Sequence, residues 1–329
     1  MRRRRLSNNI RKTGLITAVA FTAACTMQLE PISKSRTAAD ETAQTSAAEP
    51  VKVSKSPEKK EPFAPSEKTE KIVQDLSGTH MEQVEKLHAK LNSSAEGGVK
   101  VVDMEGKPPR TPEETMEKGG DCTDLAGVVV PMLKEMEIPG GVLVVHFDNA
   151  PEDVHHMVPY AEINGEEIII DLQAPRLRET ADGNYTEVLR LNYDEANSIY
   201  YVELGDYYRD KGERGKAIEA YEKSLEYYDK YAYVHQNLGI LYEKEGKMNY
   251  ASVHLKKAAE LDPKYKAQET RGSYNYEVQE GARAYRERRW SDCITHFRNA
   301  LTSGEKLSAK EEEIMKKNVE ACEHNAEIE

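Results

Sequence analysis

The sequence predicts an α+β domain followed by an all-α solenoid, both carried behind an exported, disordered tether. Three observations predict this. The middle of the chain sets apolar residues at helical spacing, as in Met81, Val84, Leu87 and Leu91, ahead of two strand-like runs joined by Asn164-Gly165. From Ser198 the text repeats, Leu204-Gly205 returning as Leu238-Gly239 after 34 residues. Residues 26–66 offer almost nothing to bury.

Residues 1–24 have the layout of an export signal. Arg2-Arg3-Arg4-Arg5, with Arg11 and Lys12, form a positive region. Leu15 to Phe21 is apolar and too short to span a bilayer, and Thr22-Ala23-Ala24-Cys25 follows. Small residues leading directly into a cysteine resemble the lipobox of bacterial lipoproteins. That resemblance implies cleavage before Cys25, acylation of its thiol and a membrane anchor. Thr26 in the next position implies the outer membrane, facing the periplasm. Residues 25–66 are rich in Ala, Thr, Ser, Glu, Lys and Pro and read as a charged, disordered tether.

The chain carries a net charge of −12, and its dense basic run lies at the extreme N-terminus. A nucleic-acid partner needs a clustered positive surface, so that class is excluded. No P-loop, dinucleotide fingerprint or metal-spaced Cys/His cluster is present, so no cofactor and no metal are expected.

The α+β domain is expected over residues 67–190. Ser66 to Leu76 and Met81 to Leu91 read as helices, with His88 at the surface or boundary of the second. Thr111-Pro112-Glu113-Glu114 is a helix start with proline at the first position. Asp121 to Glu137 is a further helix, which Pro131 should kink or loosen, and Cys122 sits at its start. Unpaired amides and the helix dipole stabilise a thiolate there, as a nucleophile requires. Val142 to Phe147 reads as a buried strand.

Asn164-Gly165 then joins two strands, from about His155 to Ile163 and from Glu166 to Leu172. The two-residue turn pairs Ile163 with Glu166 and, continued, sets Val158 opposite Asp171. Strand faces alternate, so His156 and Asp171 share a face one diagonal step apart, while His155 points away. Pro159, lacking an amide, should face an open edge or a bulge, and a bulge or a longer turn would exchange the two histidines.

Thr115 to Ala126, with Gly119-Gly120-Asp121-Cys122 at its centre, resembles the cysteine-helix motif of the transglutaminase-like superfamily. His156-Met157-Val158 and Ile169-Ile170-Asp171 resemble its histidine and aspartate strands. The resemblance covers roughly residues 67–175. It implies a papain-like α+β fold with Cys122 as nucleophile, His156 as base and acid, and Asp171 as orienter, in a cysteine protease, amidase or transamidase. The Cys122 amide is one natural oxyanion donor; the second is not identified. Members of the superfamily that only bind keep open a scaffold role for the domain.

Period, residue types and helix lengths over residues 194–305 resemble about three tetratricopeptide repeats. Leu204-Gly205, Tyr208, Gly212, Ala217, Tyr221 and Ser224 return as Leu238-Gly239, Tyr242, Gly246, Ala251, Leu255 and Ala258. A third copy keeps Gly281, Ala284, Cys293, Phe297 and Ala300 after an eight-residue insertion near Ala267 to Tyr274. Residues 306–329 read as a polar capping helix. The resemblance implies an inner groove for a protein or peptide partner, lined by Val202, Asp206, Arg209, Tyr233, Gln236, Glu243, Val278 and Tyr285.

With Cys25 acylated, three cysteines remain. One of them must stay outside an intrachain disulfide, and Cys122 is the candidate. Cys293 and Cys322 could bridge, but both sit on predicted helices where a small packing residue is the expectation.

Overall fold

The structure, a computed structural model, describes residues 61–148, 150, 155–180 and 183–328. The export signal, Cys25 and the tether through residue 60 lie outside the described residues, as does most of the polar loop after Phe147.

Four helices precede the sheet, and each starts at a residue that can cap it. Helices α1 (Glu67–Gln74), α2 (His80–Leu91) and α3 (Pro112–Lys118) begin at Ser66, Thr79 and Thr111. In all three, the cap and the residue three positions on exchange side-chain hydrogen bonds with each other's backbone. Helix α4 (Cys122–Glu135) is capped by Asp121 and continues through Pro131. Its apolar side is the centre of the domain. Val128, Val129, Met132 and Leu133 are buried with Val84, Leu87 and Leu91 of α2. Each such side chain contributes about 1.5–3 kcal/mol by leaving water.

The strands are β1 (Gly140–Phe147), β2 (His156–Ile163), β3 (Glu166–Ile169) and β4 (Tyr185–Asn192), antiparallel in the order β3-β2-β1-β4. Asn164 and Gly165 have φ of 55° and 82°, the left-handed pair of a type I′ turn, and Ile163 pairs with Glu166. The ladder reaches Tyr160 opposite Ile169, and Ile170 N donates to Pro159 O at 2.8 Å. It then stops, so the expected Val158–Asp171 pairing does not form. Pro159 cannot return a bond at this step, and it sits where the partner strand leaves the sheet rather than at an edge or bulge. Strand β4 has no counterpart in the sequence reading. It is an edge strand with most side chains exposed, and alternation marks it only over Leu189 to Asn192.

The tether does not extend to residue 66. Phe63 is 3% exposed and lies over Gly127 of α4, where a Cβ would come within 2.6 Å of the phenyl ring. Its amide donates to Asn197 Oδ1 at 3.0 Å.

The C-terminal helices pair in order: α5 (Tyr193–Asp210) with α6 (Arg214–Tyr227), α7 (Ala232–Lys244) with α8 (Met248–Leu261), and α9 (Lys266–Arg286) with α10 (Trp290–Thr302). The recurring glycines sit at the crossings. A Cβ at Gly205 would come within 2.6 Å of the Tyr221 ring, at Gly239 within 2.5 Å of Leu255, and at Gly281 within 3.0 Å of Phe297. The eight-residue insertion does not loop out; it extends α9 to 21 residues. Helix α11 (Ala309–Ile328) closes the array, burying Met315 and Val319 against α10. Cys322 on α11 forms a disulfide with Cys293 on α10, so the expectation that the two only pack is corrected. Their shared burial, with Cα atoms 6.0 Å apart, is what permits the bond. No described helix is long and apolar enough to cross a membrane.

Candidate active site

The start of α4 is built by close backbone approach. Gly119 has φ of 77°, and a Cβ there would lie 2.4 Å from Lys100 O. A Cβ at Gly120 would lie 2.3 Å from the Asp124 side chain. Without these side chains, Gly120 N donates to Lys100 O and Val102 N donates to Gly120 O. The Arg110 guanidinium donates to the Gly119 and Lys118 carbonyls, and the Arg110 amide donates to Asp124 Oδ1. Asp121 Oδ1 accepts from the Thr123 and Asp124 amides. Burial pushes the Asp124 carboxyl up to about 6 against the pull of the Arg110 amide, with the Asp121 charge adding to the rise.

Cys122 is the free cysteine among the described residues and is half-buried. Capping occupies the next two amides, and the Cys122 amide has no intramolecular acceptor among the described residues. It is therefore available to an oxyanion.

His156, at the start of β2, is 9% exposed, and its Nε2 lies 3.0 Å from Asp171 Oδ2. Its ring tilts against Phe147 at 5.3 Å. The Cys122 side chain lies close enough to the same imidazole to raise its pKa. Because Asp171 takes Nε2, the nitrogen left for the sulfur is Nδ1. Burial pulls the His156 pKa down, but the bond to Asp171, the nearby Cys122 side chain and the charges of both overcome it and push it up to about 10. The imidazole is therefore held as a cation at neutral pH. Asp171 is 3% exposed, and its Oδ1 accepts from the Gln173 amide at 2.9 Å. His155 is exposed on the opposite face, its ring 6.1 Å from that of His146. A small cleft beside the sulfur is lined by Leu125, Met157, Pro159, Asp171 and Gln173.

The structure thus brings Cys122, His156 and Asp171 together from α4, β2 and the segment after β3. Sequence reading missed the residues around them. His88, expected at the surface or boundary, is buried at 6% exposure and reaches the Asp171 carbonyl. Its spacing was the available signal, since it falls four residues after Val84 and three before Leu91, on the apolar stripe. Glu203 of α5, also missed, lies near Thr123, the residue after Cys122. Burial pushes its pKa up to about 8, with help from the charges of Asp206, Asp121 and Asp124.

The eight positions assigned to an inner groove do not behave alike. Val202 is buried at 5% exposure in the helix core and lines nothing open. Asp206, Arg209 and Tyr233 close on one another: Tyr221 and Tyr233 hydroxyls donate to Asp206 Oδ1, and Arg209 donates to Tyr233 and Asn237. Gln236 is half-buried. Glu243 accepts from Asn275 Nδ2 at 3.1 Å, and burial raises its pKa. Val278 and Tyr285 are half-buried against the core shared with α10 and α11. Their helix faces turn toward neighbouring helices, which period counting alone does not resolve.

Residues 199–231 and 232–265 each match the family model of the tetratricopeptide repeat, so this span consists of two such repeats. The third pair, α9 and α10, follows with the same glycine and small-residue positions displaced by the insertion. Among solved structures, the chain is similar to the crystal structure of the Sgt2 TPR domain from Aspergillus fumigatus. That likeness has 18% identity over 40% of this chain and 79% of the other, with a TM-score of 0.23. No curated protein matches the chain. The repeats mark the C-terminal region as a protein-interaction surface.

Proposed function

We propose that the chain is an envelope-anchored cysteine amide hydrolase or transamidase of the transglutaminase-like kind, with its repeats holding a protein or peptide partner. One observation carries this reading: a buried imidazole bonded to a carboxylate, with a half-buried thiol at a helix start near enough to shift its pKa. In the proposed cycle the Cys122 thiolate attacks an amide carbonyl, and the oxyanion is met by the Cys122 amide. The C–N bond breaks as His156 gives its proton to the leaving amine. Water or a second amine then attacks the thioester, His156 takes that proton, and the thiolate is released. Asp171 holds the ring and stabilises its charge throughout.

The Cys293–Cys322 bridge supports an oxidising compartment, in keeping with the export signal and lipobox resemblance ending at Cys25.

The test is labelling of the full chain by a thiol-reactive peptide probe at pH 6, comparing wild type with Cys122→Ala and His156→Ala. Wild type should label rapidly and C122A not at all. H156A keeps the thiol but loses its partner, so it should label on the order of tenfold to a hundredfold more slowly. Equal rates in wild type and H156A would sink the triad and leave the domain as a binding module beside the repeats.

A further inference from the structure

We infer that His88 and Asn92, at the end of α2, form a clamp that positions Asp171, an inference that rests on the catalytic reading above. The sheet does not hold this aspartate. The last bond of the β2–β3 ladder runs from Ile170 N to Pro159 O, and Pro159 has no amide to return. Beyond that point, the end of α2 takes over from the ladder.

His88 Nε2 lies 3.1 Å from Asp171 O, Ser93 N donates to Leu172 O at 2.9 Å, and Asn92 Nδ2 donates to Ala174 O at 2.6 Å. The three contacts fall on a stretch of four residues that begins with the aspartate.

The chemistry fixes the roles. A carbonyl oxygen only accepts, so the bond to Asp171 is made by the tautomer in which His88 Nε2 carries the proton. Asn92 Nδ2, 3.3 Å from that nitrogen, is a second donor, and the contact between them is therefore not a hydrogen bond. The Asn92 amide is oriented from its other end as well, since its Oδ1 accepts from Ser94 N at 2.9 Å. Both side chains are buried, at 6% and 7% exposure. A polar ring on an apolar helix stripe is costly to bury unless it is bonded, and the bond it makes is to Asp171.

The Asp171 carboxylate in turn meets His156 at 3.0 Å. Loss of the clamp frees the backbone that carries it. His88 touches neither thiol nor imidazole, so it is a positioning residue.

The experiment reads the pH dependence of Cys122 alkylation by iodoacetamide in the full chain, for wild type, Asp171→Asn, His156→Ala, His88→Leu, His88→Gln and Asn92→Ala. In wild type the reactivity should persist down to pH 6. D171N and H156A should lose it. H88L should follow them, on the order of tenfold slower at pH 6, while H88Q, which restores an N–H donor, should recover much of the rate. N92A should move in the same direction and is the variant to read should H88L fail to fold by far-UV circular dichroism. A wild-type profile in H88L or, where that variant is unfolded, in N92A, with D171N and H156A impaired, would overturn the clamp and leave the triad standing. Wild-type profiles in D171N and H156A would overturn the triad and, with it, any role for His88 in positioning a catalytic group.

Discussion

Asp171→Asn should convert a pH-dependent part of the fold's stability into a pH-independent one. Asparagine is isosteric and keeps an oxygen for the Gln173 amide, but its NH2 then faces His156 Nε2, so the substitution removes the charge together with the acceptor that holds the ring. His156 stands at about 10 in the folded chain against the ordinary imidazole value of 6.5, despite its burial. A folded-state pKa above the unfolded one stabilises fully below about pH 6.5, and the contribution is lost as pH rises through about 10. At about 1.4 kcal/mol per tenfold change, the contribution is about 4–5 kcal/mol in acid, about 3 at pH 7.5 and below about 0.5 at pH 10. Cys122 remains in the variant and retains part of it. The gap in unfolding free energy between wild type and D171N should therefore be about 2–3 kcal/mol at pH 7.5 and close by pH 10. Urea unfolding at pH 6, 7.5, 9 and 10, followed by circular dichroism, measures it. A gap of constant size across this range would refute the assignment of the raised pKa to the Asp171 charge.

Four further outcomes are expected. Cys293→Ser should cost about 3–4 kcal/mol by the loop-entropy relation for a separation of 29 residues, read as a fall in Tm that reductant reproduces in wild type. Glu203→Gln should raise Tm at pH 9 and change little at pH 4. The folded pKa of Glu203 is raised to about 8, so its stabilising, protonated form is fully present below the ordinary glutamate value of 4.5 and is lost as pH rises through 8. Arg288→Gly should stabilise by about 0.5–1 kcal/mol in thermal unfolding, because Arg288 holds a φ of 58° where the preceding repeats place Gly212 and Gly246. Cys25→Ser should abolish incorporation of radiolabelled palmitate in a bacterial host, whereas persistent labelling would contradict a lipid anchor at that thiol.

What was legible in the sequence was what local chemistry writes. Asn164-Gly165 names its own turn, and once the turn is set, strand parity puts His156 rather than His155 on the side of Asp171. Periodic glycine and small residues announced the helix pairs, because a crossing that excludes a Cβ must recur wherever the crossing recurs. Single residues whose meaning is tertiary were not legible. Phe63 stands in polar, disordered-looking text, and only the space over Gly127 explains it. His88 reads as a surface residue until the segment after β3 is brought against it. β4 alternates only over Leu189 to Asn192, because a register shift against β1 breaks the pattern and leaves its first half largely exposed. Cys293 occupies the small-residue position that Ala217 and Ala251 hold in the earlier repeats. Packing therefore explained it fully until α11 supplied a second sulfur.

Helix α5 is the first helix of the repeats and also a wall of the candidate site, and that double membership constrains how the two regions communicate. Phe63 seals its seam with α4, the Tyr200 ring meeting Phe63 edge-on at 6.3 Å and Asn197 taking the Phe63 amide. Lys134 at the end of α4 pairs with Asp194 at the start of α5 at 2.7 Å. One turn before the Asp206–Arg209 pair, Glu203 lies near Thr123, the residue after Cys122. The first repeat therefore cannot shift along α4 without disturbing the helix start that carries the thiol. The raised pKa of Glu203 already reflects the charge of Asp206. The charge of Asp206 in the first repeat and the electrostatics at the start of α4 are then linked by a short polar path. That linkage is reciprocal: ionising Glu203 and protonating Asp206 must favour each other by the same factor.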